Sequence, residues 1–339
     1  MDETRRILGK IVKRTTLPKS FWFSKNPTAQ EVLIQYLSKP ETFWYGVDRL
    51  QAVKVRSDVK AFMDIGMAHP QAIAELLLHQ VQKCQHTHCC PFFVMGAGSS
   101  GSTWLGAMLG DLPGYCYGRE IYVPPGMAYM YHKLKNQEMV HLVWAIMLLS
   151  SWRWQGPETD FAREFVNSAR SIQHYPIYRR IWPQGRYIFL VRDPRDQLLS
   201  TVHRKQSYRQ AVAPRSSDLA YLWWGIRKLR YTYRHFKKIN QNEIHVVKYE
   251  HLQQDTINEM RKIANRFQVQ VSEAIIGSIV YQHGAENMRR GLVPRRGNLD
   301  EGGVAKGWRD LLTKKEKRFM KPFIQETLEA FGYEQNSAW

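Results

Sequence analysis

The sequence predicts an α/β protein: a three-layer sandwich with a central, mainly parallel sheet and a phosphate-binding loop, preceded by a helical extension. Three observations predict it. An apolar run, Pro91 to Met95, leads into a glycine- and hydroxyl-rich loop and then a helix-compatible stretch from Trp104 to Leu109. Two further strand-like runs, RYIFLV (186–191) and EIHVVKY (243–249), are separated by helical patterns. Strands alternating with helices need crossover connections, and crossovers give parallel pairing.

Residues 1–85 carry helical periodicity without obvious strands, clearest in AQEVLIQYLSKPETFW and HPQAIAELLLHQVQK, with Pro70 at a first-turn position. They are expected to form a helical N-terminal extension, and residues 86–339 the main domain. After the loop and its helix, a mixed aromatic region runs from 115 to 155, and a helix is expected around 158–172. RYIFLV is the second strand, followed by a helix from about Arg195 to His203. A long basic helix covers 218–238, and EIHVVKY is the third strand. Helices follow at about 255–268 and 272–282, then a glycine-rich loop at 291–307 and a C-terminal helix over about 313–331. No internal repeat or low-complexity tract interrupts this order.

Composition narrows the function. The chain has 339 residues, 44% hydrophobic and 12% aromatic, enough for a globular core. Its formal net charge of +19 favours anionic partners, although a diffuse basic surface would give the same number. Four cysteines in this length do not make a disulfide scaffold. MDETRRILGKIVKR has no apolar signal region, and the apolar stretch near Leu142 to Leu149 falls short of the roughly 20 residues that span a bilayer. A soluble, cytoplasmic chain is expected.

The loop itself, GAGSSGSTWL, is the most chemical stretch. Gly96 and Gly101 have the spacing of the phosphate-loop pattern G-x-x-x-x-G-K-[ST], and Thr103 fills its hydroxyl position. Ser102 replaces the lysine, which equips the loop poorly for a triphosphate. A helix N-terminus after a small-residue loop still attracts an anion. The second strand ends in VRDPRDQLLS, which puts Arg192 at a strand's carboxyl end, where ligands bind in open α/β sheets. Pro194 suits a first helical turn. Ser200 lies about two turns on, and Arg192 with a nearby hydroxyl makes a second phosphate site. The alternative reading pairs Arg192 with Asp193 or Asp196 in structural ion pairs. Two anion sites at neighbouring strand ends suggest a ligand with two separated phosphates.

GSSGSTWL followed by FLVRDPRDQLLS resembles the two cofactor motifs of the sulfotransferase family, which uses 3′-phosphoadenosine-5′-phosphosulfate (PAPS) and releases the bisphosphate PAP. RRGNLDEGGVAKGW is similar to that family's C-terminal R-x-G…G-x-W loop. VVKYEHL resembles its V-x-Y-E-D-L segment, with His251 in the aspartate position. The similarity runs from about 91 to 332 and implies the phosphate-loop nucleotide fold of sulfotransferases. It implies that Ser100, Gly101, Ser102 and Thr103 hold the 5′-phosphate, with Gly98, Ser99, Trp104 and Tyr249 also at the cofactor. Arg192 and Ser200 would hold the 3′-phosphate, with Arg295, Arg296 and Gly297 completing it. Trp104 read without the resemblance is equally a core residue.

One departure stands out. The family places Lys or Arg where this chain has Ser99, beside the leaving group. Losing that cation should cost about 2–4 kcal/mol of barrier, by analogy with losing one oxyanion-hole donor. Either Arg119 or Arg170 substitutes, or the protein is a degenerate member that binds PAPS, PAP or an acidic glycan without turnover. The resemblance further implies a general base. Glu120, in GREIYVPPG, takes first place, His174 second and His132 third. An ion pair with Arg119 or another cation is the plainer reading of Glu120. A phosphate-loop kinase is disfavoured by the missing lysine and by Arg192 where a magnesium-binding Asp would stand.

CQHTHCC (84–90) crowds Cys84, His86, His88, Cys89 and Cys90 together without a second ligand pair, so no metal site is expected. The basic aromatic helix WWGIRKLRYTYRHFKK (223–238) reads as a half-buried helix whose Lys and Arg stems cover apolar surface, with a wall for an acidic acceptor or a nucleic-acid contact as the alternatives. Trp152 and Trp154 are candidates to line an acceptor pocket. The expected partner is a small-molecule or carbohydrate acceptor, with no nucleic acid.

Overall fold

The computed structural model describes residues 28–38, 90–118, 120, 164–168, 170, 172–202, 217–284, 287, 307–335 and 339, with short runs between 69 and 79 and between 137 and 147. The chain divides into two compact units. The first comprises Met1–Cys89, Ile121–Phe161 and Ile177–Pro183; the second comprises Cys90–Glu120, Ala162–Pro176 and Gln184–Trp339. In the first unit, helix α1 (Ala29–Ser38) falls inside AQEVLIQYLSKPETFW, and Val32 and Leu33 on it are fully buried. Trp144 stacks on Trp182 with ring centroids 5.0 Å apart. Most of the rest of the expected N-terminal extension lies outside the described residues.

The second unit holds the sheet. Its elements run β1 (Phe92–Gly96), α2 (Ser102–Gly110), β2 (Tyr115–Tyr117), β3 (Glu164–Asn167), a 3-10 turn (Ile172–His174), the start of α3 (Tyr175–Ile181), β4 (Arg186–Val191), α4 (Pro194–Val202) and α5 (Asp218–Phe236). They continue through β5 (His245–Lys248), α6 (Tyr249–Gln254), α7 (Thr256–Arg266), α8 (Glu273–Gln282), α9 (Trp308–Leu311) and α10 (Lys314–Ala330). The five strands lie in the order β2-β3-β1-β4-β5, and every pairing is parallel. Gly96 at the end of β1 registers with Leu190, and Val191 at the end of β4 registers with Lys248. The loops after β1, β4 and β5 therefore leave the sheet side by side.

Side chains alternate between two covered faces, which is why β1 and, beyond Arg186, β4 are apolar. Phe92, Val94, Ile188 and Leu190 face α2, α7 and α8 in one cluster, whereas Phe189 stacks on Phe236 of α5 at 4.1 Å. A second cluster joins Leu198 and Leu199 of α4, Leu222 and Ile226 of α5, Trp308, and Met320, Ile324 and Leu328 of α10. Local chemistry marks the helix starts. Thr313 and Glu316 form a reciprocal capping box at α10, and Pro194, lacking an N–H to lose, opens α4.

The strands and helices expected around β1, α2, β4, α4, α5, β5, α7, α8 and α10 agree with the structure to within about two residues, whereas β2, α3, α6 and α9 are not expected from the sequence and one expected helix is a strand. Residues 164–167, expected inside a helix over 158–172, form β3, which pairs with both β1 and β2. EFVN is too short to declare itself, and strand pairing on two edges overrides its local pattern. Among the described residues, no helix is long and apolar enough to cross a membrane.

Candidate functional site

The loop between β1 and α2 is built for close approach. Ser99 and Gly101 both have left-handed backbone, with φ of 66° and 92°, the kind of turn that forms an anion-binding nest. A side chain at Gly101 is excluded twice over: by its φ, and by the Tyr249 ring, which a Cβ would meet at 2.6 Å. Gly101 caps α2 without a side-chain hydrogen bond, and its carbonyl accepts the first helical bonds, from Trp104 and Leu105. The amides of Ser102 and Thr103 thus precede the helix ladder and have no intrahelical acceptor. The Ser100 hydroxyl is fully buried and finds no hydrogen-bond partner among the described residues. A buried hydroxyl left unpaired in a finished fold is a place where a ligand atom is expected.

Two side chains from the β4–α4 segment hold the loop from one side. Arg192 Nη1 donates to the Ser99 carbonyl at 3.2 Å, and Gln197 Nε2 donates to the Gly98 carbonyl at 3.3 Å. In a trans peptide the C=O and the following N–H point in opposite directions. Engaging the carbonyls of residues 98 and 99 therefore turns the next two amides the other way. Gln197 is a residue that sequence reasoning missed; nothing but its place in the first helical turn after the strand end signals it.

The RDPRD segment divides its charges sharply. Asp193 pairs with Arg195, not Arg192: Arg195 Nη2 lies 2.7 Å from Asp193 Oδ2, and its Nη1 lies 2.7 Å from Glu334. Arg195 also lies 4.1 Å above the Trp308 ring. Asp196 Oδ1 accepts the Trp308 backbone N–H at 3.2 Å, and burial together with neighbouring Asp193 pushes its carboxyl up to about 6 despite nearby Arg192. Glu250 accepts the Asp193 N–H at 2.9 Å and the Tyr333 hydroxyl at 2.6 Å, and burial raises that phenol well above its ordinary range. Arg192 is left over the Tyr249 ring at 4.6 Å, with its guanidinium against the loop. Ser200 lies half-buried further along α4.

Tyr249 is where three distant sequence segments meet. Its ring covers Gly101, stacks under Arg192 and takes the edge of Trp104 at 6.1 Å. Trp104 is half-buried, and its indole Nε1 donates to the His283 carbonyl at 3.0 Å. His283 in turn contacts Asp111 at the far end of α2. The sequence gives no sign of this last pair.

On the other side of the loop stand Glu120 and Arg170. They form an ion pair, Arg170 Nη2 to Glu120 Oε1, with both side chains largely covered. A Cβ on Gly98 would lie 3.6 Å from Arg170 Nη1, so one guanidinium separates Glu120 from the loop. The plainer reading of Glu120, as an ion-paired carboxylate, thus holds in geometry, but its partner is the very arginine that could serve the loop. His174, half-buried, closes the 3-10 turn just beyond. Arg119, His132, Trp152, Trp154, Arg295, Arg296 and Gly297 lie outside the described residues, as do Cys84, His86, His88 and Cys89. Among the described residues no three His, Cys, Asp or Glu side chains cluster as metal ligands.

A family profile described as "Sulfotransferase family" matches residues 91–273. No curated protein sequence matches the chain. Among solved structures, the mouse sulfotransferase SULT7A1 complexed with PAP superposes with a TM-score of 0.50 at 14% identity, covering 73% of this chain and 86% of that one. Retinol dehydratase in complex with androsterone and inactive cofactor PAP gives 0.45 at 17% identity, over 70% of this chain and 80% of its own. The sulfotransferase STF9 from Mycobacterium avium gives 0.45 at 12% identity, over 91% and 98%. At such identities the mouse structure's likeness is one of fold.

Proposed function

The chain belongs to the sulfotransferase family, and on that premise we propose that it transfers a sulfuryl group from PAPS to a hydroxyl or amine of a carbohydrate or other small-molecule acceptor. The observation that carries this reading is the unpartnered buried Ser100 hydroxyl in a loop whose carbonyls are drawn aside by Arg192 and Gln197. That arrangement suits an anion. The amides of Ser102 and Thr103 and the start of α2 would hold the 5′-phosphate, and Arg192 with Ser200 the 3′-phosphate.

Arg170 takes the part of the missing loop cation. Its guanidinium stands beside Gly98, next to Ser99, where charge develops on the bridging oxygen as the S–O bond breaks. The acceptor oxygen or nitrogen attacks sulfur in line; the new bond to sulfur forms, the bond to the bridging oxygen breaks, and PAP leaves as the anion. The acceptor's proton passes to the Glu120 carboxylate, which is already held against Arg170. His174 is the second candidate for that role. Arg170, a cation from β3's end beside the loop, supports turnover over the reading of a degenerate, non-catalytic member.

Calorimetric titration with PAP, AMP and ATP tests this on the wild-type chain and Arg192→Ala. Binding that prefers PAP at least tenfold over AMP, and loses that preference in Arg192→Ala, is the expected result. Equal affinity for PAP and AMP in the wild type would overturn the nucleotide assignment.

A further inference from the structure

We infer that Asp111 and His283 are positioning residues that fix the Trp104 ring and so set base discrimination at the nucleotide end of the site. The inference rests on the nucleotide reading of the loop. Its observation is a strap along α2. Trp104, in the first turn, donates its indole N–H to the His283 carbonyl at 3.0 Å, and Asp111, the residue closing the helix, places Oδ2 2.6 Å from His283 Nε2. Seven residues separate the two contacts, about two helical turns or roughly 10 Å. One residue from the end of α8 thus grips both ends of the phosphate-loop helix.

Local physics does not explain Asp111. A carboxylate at a helix C-terminus opposes the helix dipole, and α2 has no basic residue in its last turn to offset it. Its counterpart is the imidazole of His283, whose side chain is 4% exposed. A buried imidazole needs a partner for its ring nitrogen, and Asp111 provides one from another element. The carbonyl so anchored meets the indole's single polar atom, which leaves the Trp104 ring no freedom to turn without breaking a half-buried hydrogen bond. The ring is thereby held edge-on to Tyr249, beside the Ser102 and Thr103 amides. Phosphate contacts do not depend on that ring; contacts to a purine do.

A double-mutant cycle tests the assignment. Affinities for PAP and for a base-free ribose 3,5-bisphosphate are measured by calorimetry in wild type, Trp104→Phe, His283→Ala and the double variant. Each single change should weaken PAP about tenfold, the scale of one hydrogen bond, and leave the base-free ligand unchanged. The double variant should bind PAP no worse than the weaker single one, because the imidazole anchor on Asp111 and the indole bond to the His283 carbonyl act in series on one ring. Multiplied losses, near a hundredfold, or equal weakening of the base-free ligand would overturn the assignment. Asp111→Asn, combined with Trp104→Phe, repeats the cycle if His283→Ala does not fold. Absence of PAP preference in the wild type would instead refute the nucleotide reading, so the two failures are distinct.

Discussion

Asp196→Asn should make the protein more stable at neutral pH and not at acidic pH. Asp196 is buried at 5% exposure, and its carboxyl is raised from 3.8 to about 6, by burial first and then by Asp193. A carboxyl raised in the folded state binds more protons there than in the unfolded chain between those two values. Stability therefore falls as pH rises through roughly 4 to 6 and stays at its lower level above. At about 1.4 kcal/mol for each pH unit between the two values, the charged form costs at most about 3 kcal/mol at pH 7.5. Asparagine removes the charge and keeps an oxygen for the Trp308 N–H, but it gives up the carboxylate's attraction to Arg192. A gain of about 1–2 kcal/mol at pH 7.5, shrinking to nothing by pH 4, is expected. Urea unfolding of wild type and variant, each at pH 4.0 and 7.5, measures the difference while cancelling other titrations. A variant that is less stable at pH 7.5, or a difference that does not change with pH, would refute the reasoning.

Two other changes probe the loop. Arg170→Ala should lower kcat by about 10²–10³-fold, the scale of one lost transition-state donor, with PAP affinity within threefold of wild type. Arg170→Lys should recover part of the rate in a sulfate-transfer assay, and an unchanged kcat in Arg170→Ala would return the loop to having no cation. Gly101→Ala forces a Cβ into left-handed backbone and to within 2.6 Å of the Tyr249 ring. Strain and overpacking together predict a loss of about 2–4 kcal/mol in denaturant unfolding, along with loss of PAP binding; a loss under 1 kcal/mol would mean the ring moves freely.

The parts of this fold legible in the sequence are those where one segment decides its own state. PFFVM, and RYIFLV after its first residue, are apolar because helices cover both faces of the sheet, and they declare themselves as strands without outside help. EFVN does not, because its strand character comes from β1 and β2 on either side. The same distinction runs through the site. Gly101 and Arg192 belong to contiguous motifs and could be named from spacing alone. What holds Arg195 and Asp193 away from the loop could not, since it depends on Glu334 and Trp308 reaching the motif from other parts of the chain. Gln197, Asp111 and His283 act through single contacts with carbonyls or with each other, and a lone polar residue on a helix carries no pattern.

The order of strands also orders the proposed reaction. Arg170 follows β3, the glycine loop follows β1, Arg192 follows β4 and Tyr249 follows β5, and these four strands are consecutive neighbours in the sheet. At about 4.8 Å per strand, the four exits span roughly 14 Å, comparable to an extended nucleotide with its transferable group. On the proposed reading the ligand lies across this edge, with base and 3′-phosphate toward Tyr249 and Arg192 and the sulfuryl group toward Arg170 and Glu120. A cation need only sit where the leaving oxygen gathers charge; it need not be encoded in the loop. Two adjacent strand ends, β1 and β3, open onto that point, so a serine at position 99 is tolerable as long as the neighbouring strand end brings an arginine to Gly98. Exchanging the two, with Ser99→Lys in an Arg170→Ala background, should therefore restore turnover lost in Arg170→Ala alone. If the lysine fails to restore it while PAP binding persists, the guanidinium's role lies in holding Glu120, and not in meeting the leaving group.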